Sequence, residues 1–527
     1  MKKQNVTFTF ILLLFTSWNF GQNWNEILNN SSSDIEESDY FGSSVSVSGN
    51  YAIVGAWGED ENVIGIDSLS LAGSVYIFER DSSKVWIEKQ KLVPSDRFAN
   101  DRFGYAVSIS GNFAVATANQ ASKAYVFERN SLGIWNEVQK IVAIPDGQPV
   151  GSDFGRSVSI SGNYIIVGAR EEREDASGLN TISAAGAAYV YERDVTGTWV
   201  GVQKIVPSDR GIGYQFGWSC SLSGDYAVVG AFWDSKDASG VNIKTAAGAA
   251  YVFKRDVSGT WQETDKLVAS DRDSADYFGN SVGISGDYII IGARSEDEGI
   301  SGGNSMSESG SAYLFEKNAS GNWVQIQKLV ATDRGIRDYF GQSVSISGEY
   351  VIIGAYGQDY DEFGSNVIGD AGGAYIYHRD LSGYWSLTQK ITASNRGNAD
   401  NFGFSVNISD SNIFIGAVVD DFSPISGIPI YNSGSIYVFS LNNYLKIQEN
   451  KSQNKLVIYP NPTESILNIR TDFRYTKCRV IDILGNTIFE RNLTDQLHVS
   501  SLVRGAYFIQ IIGDNNEVLK TEKFNKY

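Results

Sequence analysis

The pair Phe-Gly recurs seven times, at Phe41-Gly42, Phe103-Gly104, Phe154-Gly155, Phe216-Gly217, Phe278-Gly279, Phe340-Gly341 and Phe402-Gly403. The intervals between copies are 62, 51, 62, 62, 62 and 62 residues. A fixed period of this length marks a repeat architecture, in which one copy cannot bury its apolar face without its neighbours. Each copy holds four strand-like segments. In the third copy they are Phe154 to Ser161, Tyr164 to Ala169, Ala187 to Glu192 and Trp199 to Val206. Segments one and two are joined by Ser-Gly-Asn, Ser-Gly-Asp or Ser-Gly-Glu in the first six copies, where glycine permits the positive φ of a tight hairpin. The seventh has Ser409-Asp410-Ser411 instead. Aromatic residues at 13%, with 54 Gly against 8 Pro, suit strands joined by short turns.

Four antiparallel strands repeated radially describe a propeller blade, whereas a solenoid needs atypical capping repeats. The two chain ends decide between them. A fourth-strand tryptophan occurs at Trp86, Trp135, Trp199, Trp261, Trp323 and Trp385, but the seventh copy has none. Trp24 lies 17 residues before Phe41, as Trp261 lies 17 before Phe278. Residues 22–30 are therefore expected to supply the outer strand of the last blade. The expected fold is all-β: a seven-bladed β-propeller over residues 22–443, then a small immunoglobulin-like β-sandwich. Phe and Trp of the repeat are read as filling blade-to-blade interfaces, each buried ring being worth about 1.5–3 kcal/mol. The glycine after each Phe permits close backbone approach, and the small serines of the first strand suit the crowded axis.

These residues resemble FG-GAP repeats, known from the propellers of integrin α-subunits. The resemblance extends to Gly-Ala pairs at Gly55-Ala56, Gly168-Ala169, Gly230-Ala231, Gly292-Ala293, Gly354-Ala355 and Gly416-Ala417, and to a Gly-x-x-Tyr strand start such as Gly186/Tyr189. The second copy has Ala116-Thr117 in place of Gly-Ala and lacks the long loop, which accounts for its 51-residue interval. Integrin-type repeats often carry an Asp-x-Asp-x-Asp-Gly calcium loop between the first two strands. Here that place holds a tight turn, too short to wrap a cation needing six to eight oxygens, so the resemblance does not carry those sites over.

After a polar linker, residues 444–454, comes Leu456-Val457-Ile458-Tyr459-Pro460-Asn461-Pro462, followed by Val480 to Gly485 and Leu502-Val503-Arg504-Gly505 with a basic end. This order resembles the type A sorting domain of the type IX secretion system of Bacteroidota. Residues 455–527 are read as that domain, with Pro460, Asn461, Pro462, Gly485 and Gly505 carrying the motif. The resemblance implies recognition by an outer-membrane secretion machinery and a secreted or outer-surface destination. At the other end, Lys2, Lys3 and the apolar run Phe8 to Phe15 read as a signal peptide over residues 1–21. That run is short for a membrane anchor, and no later run is long enough to span a bilayer.

Formal net charge is −18, from 43 Lys and Arg against 61 Asp and Glu, which argues against nucleic acid as a partner. Cys220 and Cys478 fall in different domains, so a disulfide framework is not expected. The long loops between strands two and three are acidic, with Asp60, Asp175, Asp234, Asp237, Asp297, Asp359, Asp361 and Asp421 as candidate binding residues. Trp57, Trp233, Tyr356 and Tyr360 on the same loops offer flat rings for a sugar or pack the loops down. The blade links carry Asp96-Arg97, Asp209-Arg210, Asp271-Arg272, Asp333-Arg334 and Asn395-Arg396. Two readings stand: a solvated rim with weak ion pairs of about 0–1 kcal/mol, or a face for Ca²⁺ or another ligand. With only two histidines, His378 and His498, no nucleophile–base constellation, phosphate loop or Cys/His metal spacing assembles. The expected function is non-enzymatic binding or adhesion to an extracellular glycan or protein. The alternative is a polysaccharide hydrolase using paired loop carboxylates.

Overall fold

The computed structural model describes residues 24–441 apart from 64, 66–67, 144–150, 301, 304 and 422–428, and residues 456–527 apart from 472–476, 483–485, 493 and 514–517. The proposed signal peptide, the linker and Gly485 lie outside these residues. The chain divides into two compact units, one ending at Leu441 and the other beginning at Asn442.

The first unit contains seven four-stranded antiparallel sheets. In blade 1 the strands are Phe41–Ser48, Tyr51–Ala56, Ser74–Arg80 and Trp86–Leu92, running from the axis outwards. Blade 7 takes Phe402–Ser409, Asn412–Ala417 and Ser435–Leu441 from the end of the unit and Trp24–Asn30 from its start, with Trp24 opposite Leu441 and Asn30 opposite Ile436. Each innermost strand contacts the next, and Phe41–Ser48 meets Phe402–Ser409, so the ring is closed.

The repeat residues explain why blades stack. All seven Phe-Gly phenylalanines are fully buried. Each apolar cluster of this unit spans two neighbouring blades; one joins Ile53, Val75 and Ile77 of blade 1 to Phe103, Tyr125 and Trp135 of blade 2. Each fourth-strand Trp packs edge-on against an aromatic ring of the blade before it: Trp135 on Tyr51, Trp199 on Phe113, Trp261 on Tyr164 and Trp24 on Tyr350. Glutamines of the fourth strand add a two-pronged bond to the backbone of the next Trp, as Gln389 does to Trp24 (2.8 and 2.9 Å) and Gln203 to Trp261 (2.8 and 2.8 Å).

At the axis, the innermost strands are sheet edges with unpaired N–H groups, which buried backbone must satisfy. Serines do this from the neighbouring blade. Ser46 Oγ accepts from Ile109 N, Ser108 Oγ from Ile160 N, Ser159 Oγ from Leu222 N and Ser345 Oγ from Ile408 N, at 3.0–3.2 Å. The glycine of Gly-Ala lies against the Phe-Gly carbonyl of the next blade; a Cβ on Gly230 would sit 2.1 Å from Gly279 O. In blade 2 the pairing of Phe103 with Ala118 puts Thr117-Ala118, not Ala116-Thr117, in the Gly-Ala place. Thr117 fits because its hydroxyl donates to the Gly155 carbonyl at 2.8 Å.

The second unit has a three-stranded sheet (Leu456–Tyr459, Ile466–Thr471, Gln496–His498) and a four-stranded sheet (Thr487–Asn492, Lys477–Ile481, Gly505–Ile512, Val518–Lys526). They share one core around Leu467, Cys478, Val480, Leu497, Ile509 and Phe524, an arrangement of two packed sheets. Asn461, between the two prolines, ties its segment to the last strand: its Nδ2 donates to Lys523 O and its Oδ1 accepts from Asn525 N, both at 2.9 Å. Gly505 opens the strand Gly505–Ile512. Among the described residues no helix is long and apolar enough to cross a membrane.

Candidate binding face

Chain direction puts the links between blades and the long loops on one face, because both join strand ends opposite the Ser-Gly hairpins. Beneath each loop lies a buried polar knot. In blade 4, the Tyr251 hydroxyl donates to Asp209 (2.6 Å) and Asp234 (2.5 Å), and Lys266 Nζ lies 2.7 and 2.8 Å from the same carboxylates. Blade 1 repeats this with Tyr76, Lys91, Asp34 and Glu59, and blade 5 pairs Lys328 with Asp271 and Glu296. The aspartate comes from the link entering the blade. The arginine after it reaches back to the preceding blade: Arg272 donates to Ser235 O (2.9 Å) and Asn242 O (3.1 Å), and Arg396 to Asp359 O (2.7 Å) and Asn366 O (3.1 Å). The Asp-Arg pairs are thus inter-blade staples. In blade 7 the charged partners are replaced together: Asn29 stands for the lysine and Asn395 for the aspartate, and they bond at 2.9 Å.

A further aspartate sits two residues before several of the Phe-Gly pairs. Burial, reinforced by neighbouring carboxylates, pushes Asp39 and Asp276 up to about 8 and Asp338 and Asp400 to about 7.

The eight loop aspartates separate into three groups. Asp60, Asp297, Asp359 and Asp421 each accept a backbone N–H from the far end of their own loop: Leu71, Glu308, Asp370 and Asn432, at 2.7–2.9 Å. Asp175, Asp237 and Asp361 stand at exposed loop tips and close their own turns; Asp237 accepts from the Ser239 hydroxyl (2.7 Å), Val241 N (3.1 Å) and Asn242 Nδ2. The hydroxyls of Ser177 and Ser239 lead the hydrogen bonds that hold Asp175 and Asp237 well below the usual carboxylate range. Asp234 is fully buried in its knot, which removes it from the surface expected for it. The eight are therefore dispersed around the ring. Among the described residues no group of three or more His, Cys, Asp or Glu side chains converges as metal ligands do.

What does converge is a set of residues at the ends of the inner strands, of which only Trp57 and Tyr356 stood out in the sequence as loop rings. The residue after Phe-Gly is, blade by blade, Ser43, Tyr105, Arg156, Trp218, Asn280, Gln342 and Phe404. The residue after Gly-Ala, or its blade 2 equivalent, is Trp57, Asn119, Arg170, Phe232, Arg294, Tyr356 and Val418. Both positions lie where the inner strands reach the loop face. All seven residues of the first set, with Trp57, Arg294 and Tyr356 of the second, line the mouth of an axial cavity of about 620 Å³, to which all seven innermost strands contribute. Trp57 stacks on Tyr40 (centroids 4.3 Å apart) with Arg102 5.0 Å from its ring; Tyr356 stacks on Tyr339 at 4.9 Å. Arg156 lies 3.6 Å from the centre of the Trp218 ring, and Arg170 lies 4.8 Å from it. Of the other loop aromatics, Trp233 packs on Phe232 and Tyr277, and Tyr360 accepts Lys390 through its carbonyl. The signal for the mouth was present as two positions of changing chemistry inside an otherwise constant repeat.

The FG-GAP repeat model matches residues 24–78, 86–127, 135–191, 199–253, 261–315, 323–377 and 385–439. The model of the secretion system C-terminal sorting domain matches residues 457–524. No curated protein matches significantly. Among solved structures, a protein from Lactobacillus plantarum is similar at 14% identity and a TM-score of 0.42, over 67% of this chain and 85% of that one. A candidate 6-phosphogluconolactonase from Bacteroides uniformis is similar at 12% identity and a TM-score of 0.43, with the same two coverages. Likenesses this distant carry nothing about function. The sorting-domain match implies interaction with the type IX machinery and points to secretion or the cell surface, as is typical of Bacteroidota. With seven repeats matched, one per blade and over more than half of its length, the chain belongs to the FG-GAP repeat family.

Proposed function

We propose that the protein is a non-enzymatic binding or adhesion protein of the cell exterior, which recognises a glycan or protein through the loop face and its axial mouth. One observation carries this: the residue after Phe-Gly lines the axial cavity in every blade and varies from blade to blade while the residues around it repeat. A rigid scaffold presenting varied aromatic and polar side chains in a concavity is how binding sites are built. The loop carboxylates support binding over hydrolysis. A glycosidase needs two carboxyl groups facing one bond across about 5–10 Å, whereas Asp175, Asp237 and Asp361 are engaged in their own turns. The reading requires no Ca²⁺.

The test is binding of the full chain to arrays of bacterial, algal and host-matrix glycans and proteins, with calcium and with chelator. At least one ligand is expected, bound equally in both conditions and weakened by Trp57→Ala or Tyr356→Ala. No ligand across such arrays, or polysaccharide turnover lost on changing loop aspartates to asparagine, overturns the proposal.

A further inference from the structure

The charge of the axial mouth is opposite to that of the molecule. The chain carries 61 acidic against 43 basic side chains. Yet the described residues lining the axial cavity include Arg102, Arg156 and Arg294 and no aspartate or glutamate. Nearby Arg170 is paired with Asp153. The three lining arginines have no such partner among the described residues. Arg102 lies over Trp57, Arg156 over Trp218 and Tyr105, and Arg294 lies 5.8 Å from the Tyr277 ring and donates to the neutral Gln342 Oε1 at 3.2 Å. The Nε groups of Arg156 and Arg294 are buried without a hydrogen-bond acceptor. Desolvation, then repulsion from Arg170 and Arg294, brings Arg156 down to about 9, so it remains a cation whose surroundings lack negative charge.

A guanidinium held against an aromatic face keeps the donors of its planar fork, which suit a carboxylate or sulfate held by two bonds. The other groups at the mouth are neutral hydrogen-bonding side chains, Asn280, Gln342 and Ser43, and rings, Trp57, Tyr105 and Tyr356. Amides and hydroxyls suit sugar hydroxyls, and rings suit the apolar face of a pyranose. A cavity of about 620 Å³ admits one or two sugar units. We propose that the axial mouth binds an anionic sugar, one bearing a carboxylate or a sulfate, with Arg156 and Arg294 taking the anion. This assignment rests on the binding role proposed above and names its ligand class.

The experiment titrates the full chain with oligogalacturonate, sulfated dextran, unmodified dextran and polyglutamate at about 0.1 M ionic strength, where charges beyond about 10 Å are screened. One or both charged sugars are expected to bind, with unmodified dextran at least about tenfold weaker. The double variant Arg156→Gln, Arg294→Gln is expected to lose about tenfold or more in affinity with its thermal midpoint unchanged. Arg156→Lys, which keeps the charge but not the fork, is expected to lose less. If the double variant does not fold, Arg102→Gln at the rim is read instead, with the same direction expected. The assignment is overturned by binding that ignores these arginines, or by polyglutamate binding as tightly as the sugars with the same arginine dependence. A neutral glycan or a protein ligand bound without the arginines leaves the binding role standing and removes the anionic sugar. Failure of both charged sugars removes the anionic-sugar assignment, while the binding role stands or falls on the arrays described above.

Discussion

Under the loops, Lys91, Lys266, Lys328 and Lys390 each reach an aspartate of the entering link, so the same knot recurs from blade to blade. Closer to the axis, the residue after Phe-Gly is a serine, a tyrosine, an arginine, a tryptophan, two amides and a phenylalanine. The first region repeats because each knot answers the same physical demand: a buried carboxylate must be paired, and the links must be held between blades. The second varies where its side chains also face the axial cavity, as the residue after Phe-Gly does in every blade. Uniform chemistry thus marks the part of the repeat that holds the ring, and varied chemistry the part left free to recognise something else.

Deleting residues 24–30 attacks the ring itself and is expected to have the largest effect. It removes the buried Trp24 (about 3–5 kcal/mol for such a ring) and the bonds through Gln389, Ser394 and Asn395, each worth about 1 kcal/mol. Denaturant unfolding should lose well over 5 kcal/mol in sum; an unchanged midpoint would contradict closure by this strand. Phe402→Ala against Phe404→Ala tests the contrast within one strand. Phe402 is fully buried and should cost about 3–5 kcal/mol, while Phe404 at the mouth should cost about 1 kcal/mol or less. Equal losses would erase the distinction. Lys328→Met leaves the buried Glu296 and the half-buried Asp271 without their cation, for an expected loss of about 3 kcal/mol in thermal or chemical unfolding.

A smaller effect concerns pH. Asp276 has its folded value raised to about 8, above that of an exposed aspartate, so the folded state holds this proton more tightly. Its contribution to stability is therefore greatest near pH 4 and is lost as pH rises through about 8. Asp276→Asn, whose amide oxygen can still accept from Asp273 N, should flatten the dependence between pH 5 and 8. It should raise the midpoint at pH 8 by about 2–4 °C; a variant whose midpoint tracks the parent across this range would contradict the burial cost. Arg102→Gln, at the mouth, should shift stability by no more than about 0.5 kcal/mol.

The blade count and the all-β class were legible because Phe-Gly, Gly-Ala and Trp keep a strict register, and close packing tolerates no other residues at those sites. The exception is instructive. In blade 2, Ala116-Thr117 looks like the substitute for Gly-Ala, and only the pairing of Phe103 with Ala118 moves the equivalence by one residue. Among the loop aspartates, Asp234 and Asp237 are three residues apart and indistinguishable as sequence. One is buried because Tyr251 and Lys266 on the third and fourth strands close over it, and the other faces water at a turn. Such a difference is set by side chains distant in the chain. The axial mouth was written in the sequence as variation rather than recurrence, which a search for repeated residues passes by.

The bond between Trp24 and Gln389 joins residues 365 positions apart. Six sheets can form as their own stretch of chain is made, since their strands are consecutive. The seventh cannot: its outer strand is the first part of the propeller to be synthesised and its other three are the last. Closure is therefore a late, long-range event, slow by the ordinary cost of bringing distant segments together. A chain threaded across a membrane from its N terminus would carry its latch out first and fasten it last.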